Sequence, residues 1–329
     1  QEVEQMNLFK DMVCYQEEVR DASRMAEVLN RVILKAKRGS APAQINVPRD
    51  FWTQVVDIEL PSIIEFERPA GGSAAISEAA NLLSNAKFPV ILSGAGVVLA
   101  DAIEDCKKIA EKLDAPVACG YQHNDSFPGK HPLAVGPLGY NGSKAAMEII
   151  SKADVVLALG TRLNPFSTLP GYGIDYWPKE AKIIQVDINS DRIGLAKKIS
   201  VGICGDAKLV AEQILNKLSS SAGDEGREGR KALIHQTKSA WLQTLTSLDH
   251  EEDDEGTSWN KDSRERDPDR MSPRMAWRAI QAGLPDNAII SSDIGNNCAI
   301  GNAYPTFEQG RKYLAPGLFG PCGYGFPSV

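Results

Sequence analysis

Three stretches decide the fold: Pro89-Val90-Ile91-Leu92-Ser93-Gly94, Asp154-Val155-Val156-Leu157-Ala158-Leu159-Gly160 and Lys182-Ile183-Ile184-Gln185-Val186-Asp187-Ile188. Each is a short apolar run without strict alternation. A strand with one wet face alternates apolar and polar residues. A run that does not is covered on both faces, which is the condition of a parallel sheet between helical layers. Helical spacing of apolar residues recurs around these runs, over Ser77–Ala86, Ala102–Leu113, Lys144–Ser151 and Ala207–Leu218, and Ala115–Cys119 reads as a further strand. Right-handed crossovers then give a doubly wound layer structure. The expected class is α/β, built of parallel-sheet doubly wound domains, with one such domain over residues 73–219.

Working outward, Asp21 to Lys37 reads as a helix. Asp21 or Ser23 can cap its start, Lys35, Lys37 and Arg38 suit its negative end, and Gly39 is expected to stop it. Ala43–Val47 is a short strand ended by Pro48. Residues 1–55 read as one unit, and 56–72, with Pro61, Pro69 and paired glycines, are a linker. Residues 220–270 form a charged linker carrying the acidic run Asp249–Gly256 and the mixed run Lys261–Arg270, with one helix over Ala232–Leu248. A charge run is ordinarily a solvated face. A further unit spans 271–329. It has a helix capped by Ser272 with Pro273 at its first position, then a strand over Asn287–Asp293.

The chain has 329 residues, which suggests about two domains at roughly 150 residues each. Its formal net charge of −7 argues against nucleic acid as a partner, because polyanion affinity comes from clustered Lys and Arg. No apolar run reaches the ~18 residues of a membrane span. Neither the six cysteines nor the four histidines have metal-ligand spacing, so no metal ligand is assigned within the chain. Sparse thiols fit a reducing cytoplasm. The opening Gln1-Glu2-Val3-Glu4 is no signal peptide, and the end at Phe326-Pro327-Ser328-Val329 follows a glycine-rich run. An internal segment of a longer protein is expected.

Four features bear on chemistry. Gly94-Ala95-Gly96, between a strand and a helix, has the first two glycines of a dinucleotide fingerprint, with Leu99 at the third position and Asp114 near the ribose-carboxylate distance. It reads either as a nucleotide site or as a tight packing turn. Arg162 follows a strand's C-terminal end, where open sheets bind ligands, and could hold an anion or make a surface salt bridge. Asn296 and Asn297 follow Asp293-Ile294-Gly295 at another strand end. They suit a metal-neutralised diphosphate, or merely a turn. Gly320, Gly323 and Gly325 imply a backbone approached closely by a ligand or another backbone.

Ala41–Asp50, Phe88–Ala102, Ala153–Asn164, Lys182–Gly194, Ser291–Asn297 and Leu318–Ser328, taken in order, resemble the thiamine diphosphate enzymes of the acetolactate synthase and pyruvate oxidase type. The resemblance implies a central Rossmann-like domain flanked by part of a pyrimidine-binding and part of a diphosphate-binding domain. It implies that Ile294, Gly295, Asn296 and Asn297 form the diphosphate loop. The Gly320 carbonyl and Cys322 amide would bond the cofactor's pyrimidine, and the Cys322 side chain would wedge the cofactor into its bent form. The family's glutamate and its magnesium motif would fall outside residues 1–329, so the catalytic residue stays unassigned and the segment alone is expected to be inactive. In finer detail, Gln1–Asp21, Ser292–Phe307 and Gly317–Ser328 are most similar to members that convert sulfoacetaldehyde and phosphate to acetyl phosphate and sulfite, an acyl transfer of sulfonate metabolism using thiamine diphosphate and Mg2+. Arg162 and Arg311 are candidates for holding these anions. A homodimer or homotetramer is implied for the whole enzyme. The alternatives are an acetolactate synthase-like enzyme or decarboxylase of the same family, and a nucleotide-binding module without chemistry.

Overall fold

The computed structural model describes residues 2–62, 65–219, 221, 226–249, 273–316 and 320–328. It divides into two compact units, Gln1–Glu67 and Arg68–Val329. The division falls inside the stretch expected to link domains, and places residues 273–328 in the same unit as the central sheet. The acidic and mixed-charge runs expected over 249–270 lie, from 250 on, outside the described residues.

The first unit holds α1 (Gln5–Phe9), β1 (Tyr15–Glu18), a 3-10 turn at Ala22–Arg24, α2 (Met25–Gly39), β2 (Ala43–Asn46) and a second 3-10 turn at Arg49–Thr53. β1 and β2 are parallel, with Tyr15 opposite Ala43 and Glu18 opposite Asn46. The helix between them is the crossover that a parallel pair requires. Asp21 accepts a hydrogen bond from the Ser23 amide at 2.9 Å, so the expected cap forms. The stop is one residue later than expected: Gly39 stays helical and Ser40 takes the left-handed conformation, φ 46°. Val19, Val28 and Val32 are the buried centre, with Tyr15, Met25, Ile45 and Phe51 around them. β1 escapes a sequence reading because Tyr-Gln-Glu-Glu carries almost no apolar signal. Its Glu17 is ion-paired to Arg31 of α2 at 2.8 Å.

The second unit continues with α3 (Ser73–Ser84), β3 (Pro89–Ser93), α4 (Ala95–Leu99), α5 (Ile103–Leu113), β4 (Val117–Cys119), β5 (Ala134–Pro137), α6 (Lys144–Ile150), β6 (Val155–Leu159), β7 (Lys182–Asp187), β8 (Val201–Cys204), α7 (Ala207–Lys217), α8 (Arg227–Asp249), α9 (Pro273–Gly283), β9 (Ile290–Ser291), α10 (Asn296–Ala303) and β10 (Tyr313–Leu314). Six strands form one sheet in the order β5-β4-β3-β6-β7-β8. Every pairing in it is parallel. The chain thus winds outward in one direction from β3 and then in the other from β6, as the apolar runs imply. Every residue of β3 and β6 is buried. One core spans the sheet and its helices, including Ile76, Leu83, Ile91, Leu92, Ile109, Leu113, Leu157 and Ile214. Asp206 caps α7 by accepting the Lys208 amide at 3.0 Å and is ion-paired with Arg68, also at 3.0 Å. The strand expected over Asn287–Asp293 pairs only at Ile290 and Ser291, against Tyr313 and Leu314. No helix among the described residues is long and apolar enough to cross a membrane.

Candidate functional site

Open parallel sheets bind ligands where adjacent strands diverge, here between the C-terminal ends of β3 and β6. That crevice is closed by main chain. The Gly96 amide donates to the Gly160 carbonyl at 2.8 Å. A Cβ on Gly96 would lie 2.6 Å from Gly160 Cα, and one on Gly94 would lie 2.6 Å from Thr161 Cβ. Gly160 itself has φ 61°. The glycines of Gly94-Ala95-Gly96 therefore let two backbone turns pack, and the space a ligand would need against Gly96 is taken by Gly160. Asp114, the candidate ribose ligand, caps α5 in the left-handed conformation and is ion-paired to Arg227 at 2.6 Å and Lys231 at 3.6 Å. The packing reading of this motif is the correct one.

Chemistry-bearing residues gather instead between the loop after β4 and the segment from β9 onward. Gln122 sits at φ 65°, a conformation that costs a non-glycine residue roughly 1 kcal/mol or more. Its backbone amide donates to Oδ1 of the fully buried Asn302 on α10 at 2.5 Å. Its side-chain amide donates to Cys298 Sγ at 3.3 Å. Asn124 donates to the Pro305 carbonyl, and Asp125 accepts from the Lys312 amide at 2.9 Å. Tyr313 donates from its hydroxyl to the Cys298 carbonyl at 2.9 Å. These bonds seat α10 against the sheet's C-terminal edge. Burial drives the His123 ring below its ordinary pKa, Arg162 nearby adds to that, and Asp125 opposes it. Burial pushes the Cys119 thiol up to about 12, which makes it a poor nucleophile.

The sequence-predicted site residues lie along this segment. Gly295 precedes α10 with φ 93°, and a Cβ there would meet nothing within 4 Å. Asn296 and Asn297 are the first two residues of α10 and are exposed, at the positive end of the helix. Gly320 has φ 63°, and a Cβ on it would come within 3.3 Å of the Ile294 side chain. Cys322 is exposed, and Gly323 beside it has φ 88° with open space around it. The two stretches meet: Ile294 packs under Gly320, and the Gly323 amide donates to Asp293 at 3.0 Å. Sequence reasoning missed Asp293. Its signal was an acid at the end of a strand, directly before the glycine turn, with a second glycine cluster downstream to supply amides. The exposed amides at a helix start, the left-handed glycines and the free space at Gly295 and Gly323 fit a diphosphate-bearing cofactor.

Of the two arginines, Arg162 is exposed at the C-terminal end of β6, and makes no ion pair with another described residue. Arg311 is ion-paired with Asp101 at 3.3 Å and donates to the Leu99 carbonyl.

Residues 76–214 match the family model described as "Thiamine pyrophosphate enzyme, central domain". The whole chain is 77% identical to a "Probable sulfoacetaldehyde acetyltransferase" of Rhizobium meliloti (strain 1021), covering 56% of that protein. It is 76% identical to a "Sulfoacetaldehyde acetyltransferase" of Roseovarius nubinhibens (strain ATCC BAA-591 / DSM 15170 / ISM), covering 55% of it. A "Probable acetolactate synthase large subunit" of Methanococcus aeolicus is 28% identical along the whole chain, which covers 55% of that relative. The chain thus spans a little over half the length of the curated relatives it matches. The doubly wound sheet and these likenesses agree: residues 76–214 match the central domain of the thiamine pyrophosphate enzymes.

Proposed function

We propose that the chain is part of an acyltransferase that takes sulfoacetaldehyde and phosphate to acetyl phosphate and sulfite, using thiamine diphosphate and Mg2+. In that conversion the carbon–sulfur bond breaks with release of sulfite, and an acyl carbon–oxygen bond to phosphate forms. Identity of 77% and 76% along the whole chain to relatives of that name supports the substrates. The observation that carries the cofactor reading is the meeting of the Asp293–Asn297 and Gly320–Gly323 turns, with open space at Gly295 and Gly323.

Thiamine diphosphate, when bound, supplies the nucleophilic carbon and electron sink that side chains lack. The chain's own residues bind and orient. The start of α10 offers Asn296 and Asn297 to the diphosphate, aided by the helix dipole. Ile294 and Gly320 set the separation of the two turns. The Gly320 carbonyl and the Cys322 amide would hold the pyrimidine, with the Cys322 side chain packed against the cofactor. Arg162, lacking a competing carboxylate partner among the described residues, is the better placed cation for a sulfonate or phosphate. Arg311 is engaged by Asp101. A homodimer or homotetramer in the cytoplasm fits an enzyme of this family.

The test is turnover of the full-length protein with sulfoacetaldehyde, phosphate, thiamine diphosphate and Mg2+. Phosphate-dependent release of sulfite with stoichiometric acetyl phosphate is the expected result. Consumption of pyruvate without phosphate dependence, and no sulfite, would overturn the assignment.

A further inference from the structure

We infer that Asp293 is a positioning residue for the cofactor cradle: its carboxylate holds the Gly320–Gly325 turn at a fixed distance from the start of α10. The inference rests on the cofactor reading above. Asp293 Oδ1 accepts from its neighbour's amide, Ile294, at 2.8 Å and from the Gly323 amide at 3.1 Å, while Oδ2 accepts the same Gly323 amide at 3.0 Å. The amides of Tyr324 and Gly325 lie close enough to favour the ionised form as well, and together these donors hold the carboxyl below its ordinary range. One side chain therefore gathers donors from both halves of the cradle.

Besides the packing of Ile294 under Gly320, other ties between the two stretches run through Ser291 and Gly325. Ser291 donates to the Gly325 carbonyl at 2.7 Å, and its hydroxyl also meets that of Ser328. Gly325 packs so tightly that a Cβ would lie 3.0 Å from the Asp293 amide nitrogen. Two of the turn's three glycines, Gly320 and Gly323, are left-handed, and glycine has many alternative conformations when unfolded. A backbone of that kind needs an external anchor to hold one shape, and binding is tighter when the shape is set beforehand. The Asp293 carboxylate is that anchor. It sets where the Gly320 carbonyl and the Cys322 amide stand, without itself touching the cofactor.

The experiment uses the full-length enzyme and measures thiamine diphosphate binding in the presence of Mg2+ by titration calorimetry, together with thermal midpoints. Asp293→Ala is compared with Asp293→Asn and with Asp154→Ala. Asp154 is a carboxylate clamp of the same construction in the central domain, accepting the Lys87 and Phe88 amides at 2.7 and 2.8 Å. The expected result is a cofactor Kd raised at least tenfold in Asp293→Ala and about threefold in Asp293→Asn, which keeps one acceptor oxygen. The thermal midpoint of the apoenzyme moves little in both. Asp154→Ala shows the reverse, a lower midpoint with unchanged cofactor Kd. Wild-type affinity in both Asp293 variants would overturn the inference while leaving the cofactor reading intact. So would an affinity loss in Asp154→Ala as large as that in Asp293→Ala. A parent enzyme that binds no thiamine diphosphate would overturn the cofactor reading and the inference together.

Discussion

His123 is held between opposing influences. Burial and the neighbouring Arg162 disfavour its charged form, and Asp125 favours it, with the net result a lowered pKa. The consequence for stability has a definite sign. Below the ordinary histidine value of about 6.5 the unfolded chain takes up a proton that the folded chain refuses, so folding weakens as pH falls through that value. The stabilisation is complete above it. A His123→Gln variant should therefore show a flatter dependence of unfolding free energy on pH between about 5.5 and 7 than the parent. Denaturant titrations at fixed pH values check this, and an unchanged slope would contradict it. Asp293 has the opposite chemistry: its folded pKa is depressed, so its contribution is intact at neutral pH and fades only as pH drops below the usual carboxylate range.

Among the elements, α8 is fastened by a buried cation. Arg230 is 2% exposed and donates to the Lys87 carbonyl at 2.6 Å and the Leu113 carbonyl at 2.9 Å, the latter at the end of α5. Replacing it with methionine would leave both carbonyls without that donor and should cost about 2 kcal/mol, since a buried acceptor deprived of its partner loses roughly 1–3 kcal/mol. Hydrogen exchange should localise the loss to residues 227–247, and uniform exchange across the sheet would speak against it. Two strands of the six-stranded sheet that the sequence conceals share one property. β5 reads Ala-Val-Gly-Pro, and β8 reads Val-Gly-Ile-Cys with alternate residues exposed. Both are the outermost strands of the six, where one backbone edge is unpaired and apolar residues are not demanded. The inner strands β3, β6 and β7 were legible because burial on both faces leaves no choice of residue type. The run Asn287–Asp293 shows the limit in the other direction. It looks like a strand, yet pairing stops at Ser291 because β10, its partner among the described residues, has two residues. In the candidate site, the glycines and asparagines were visible as composition. Asp293 was not, because its value lies in amides about thirty residues away that only the folded chain supplies.

At the scale of the molecule, the central core draws all its buried residues from Ile76 to Ile234. The first unit has its own small centre at Val19, Val28 and Val32. A polypeptide beginning at Arg68 should consequently keep the six-stranded sheet and unfold in one cooperative transition. Circular dichroism and urea titration test this, and a non-cooperative transition would show that residues 1–67 are required for the core. A polypeptide of residues 1–67 alone should be marginal, because so small a centre rarely supplies more than ~3–5 kcal/mol.

The contact of Gly96 with Gly160 reaches beyond local packing. What stoppers the cleft between β3 and β6 is main chain, and main chain is not encoded residue by residue. Shortening a side chain can hollow out an ordinary pocket, but where Gly96 meets Gly160 there is no side chain to shorten. To admit a nucleotide, this sheet would need one of its loops rebuilt at a different length, so point replacements alone should not confer nucleotide binding on the domain.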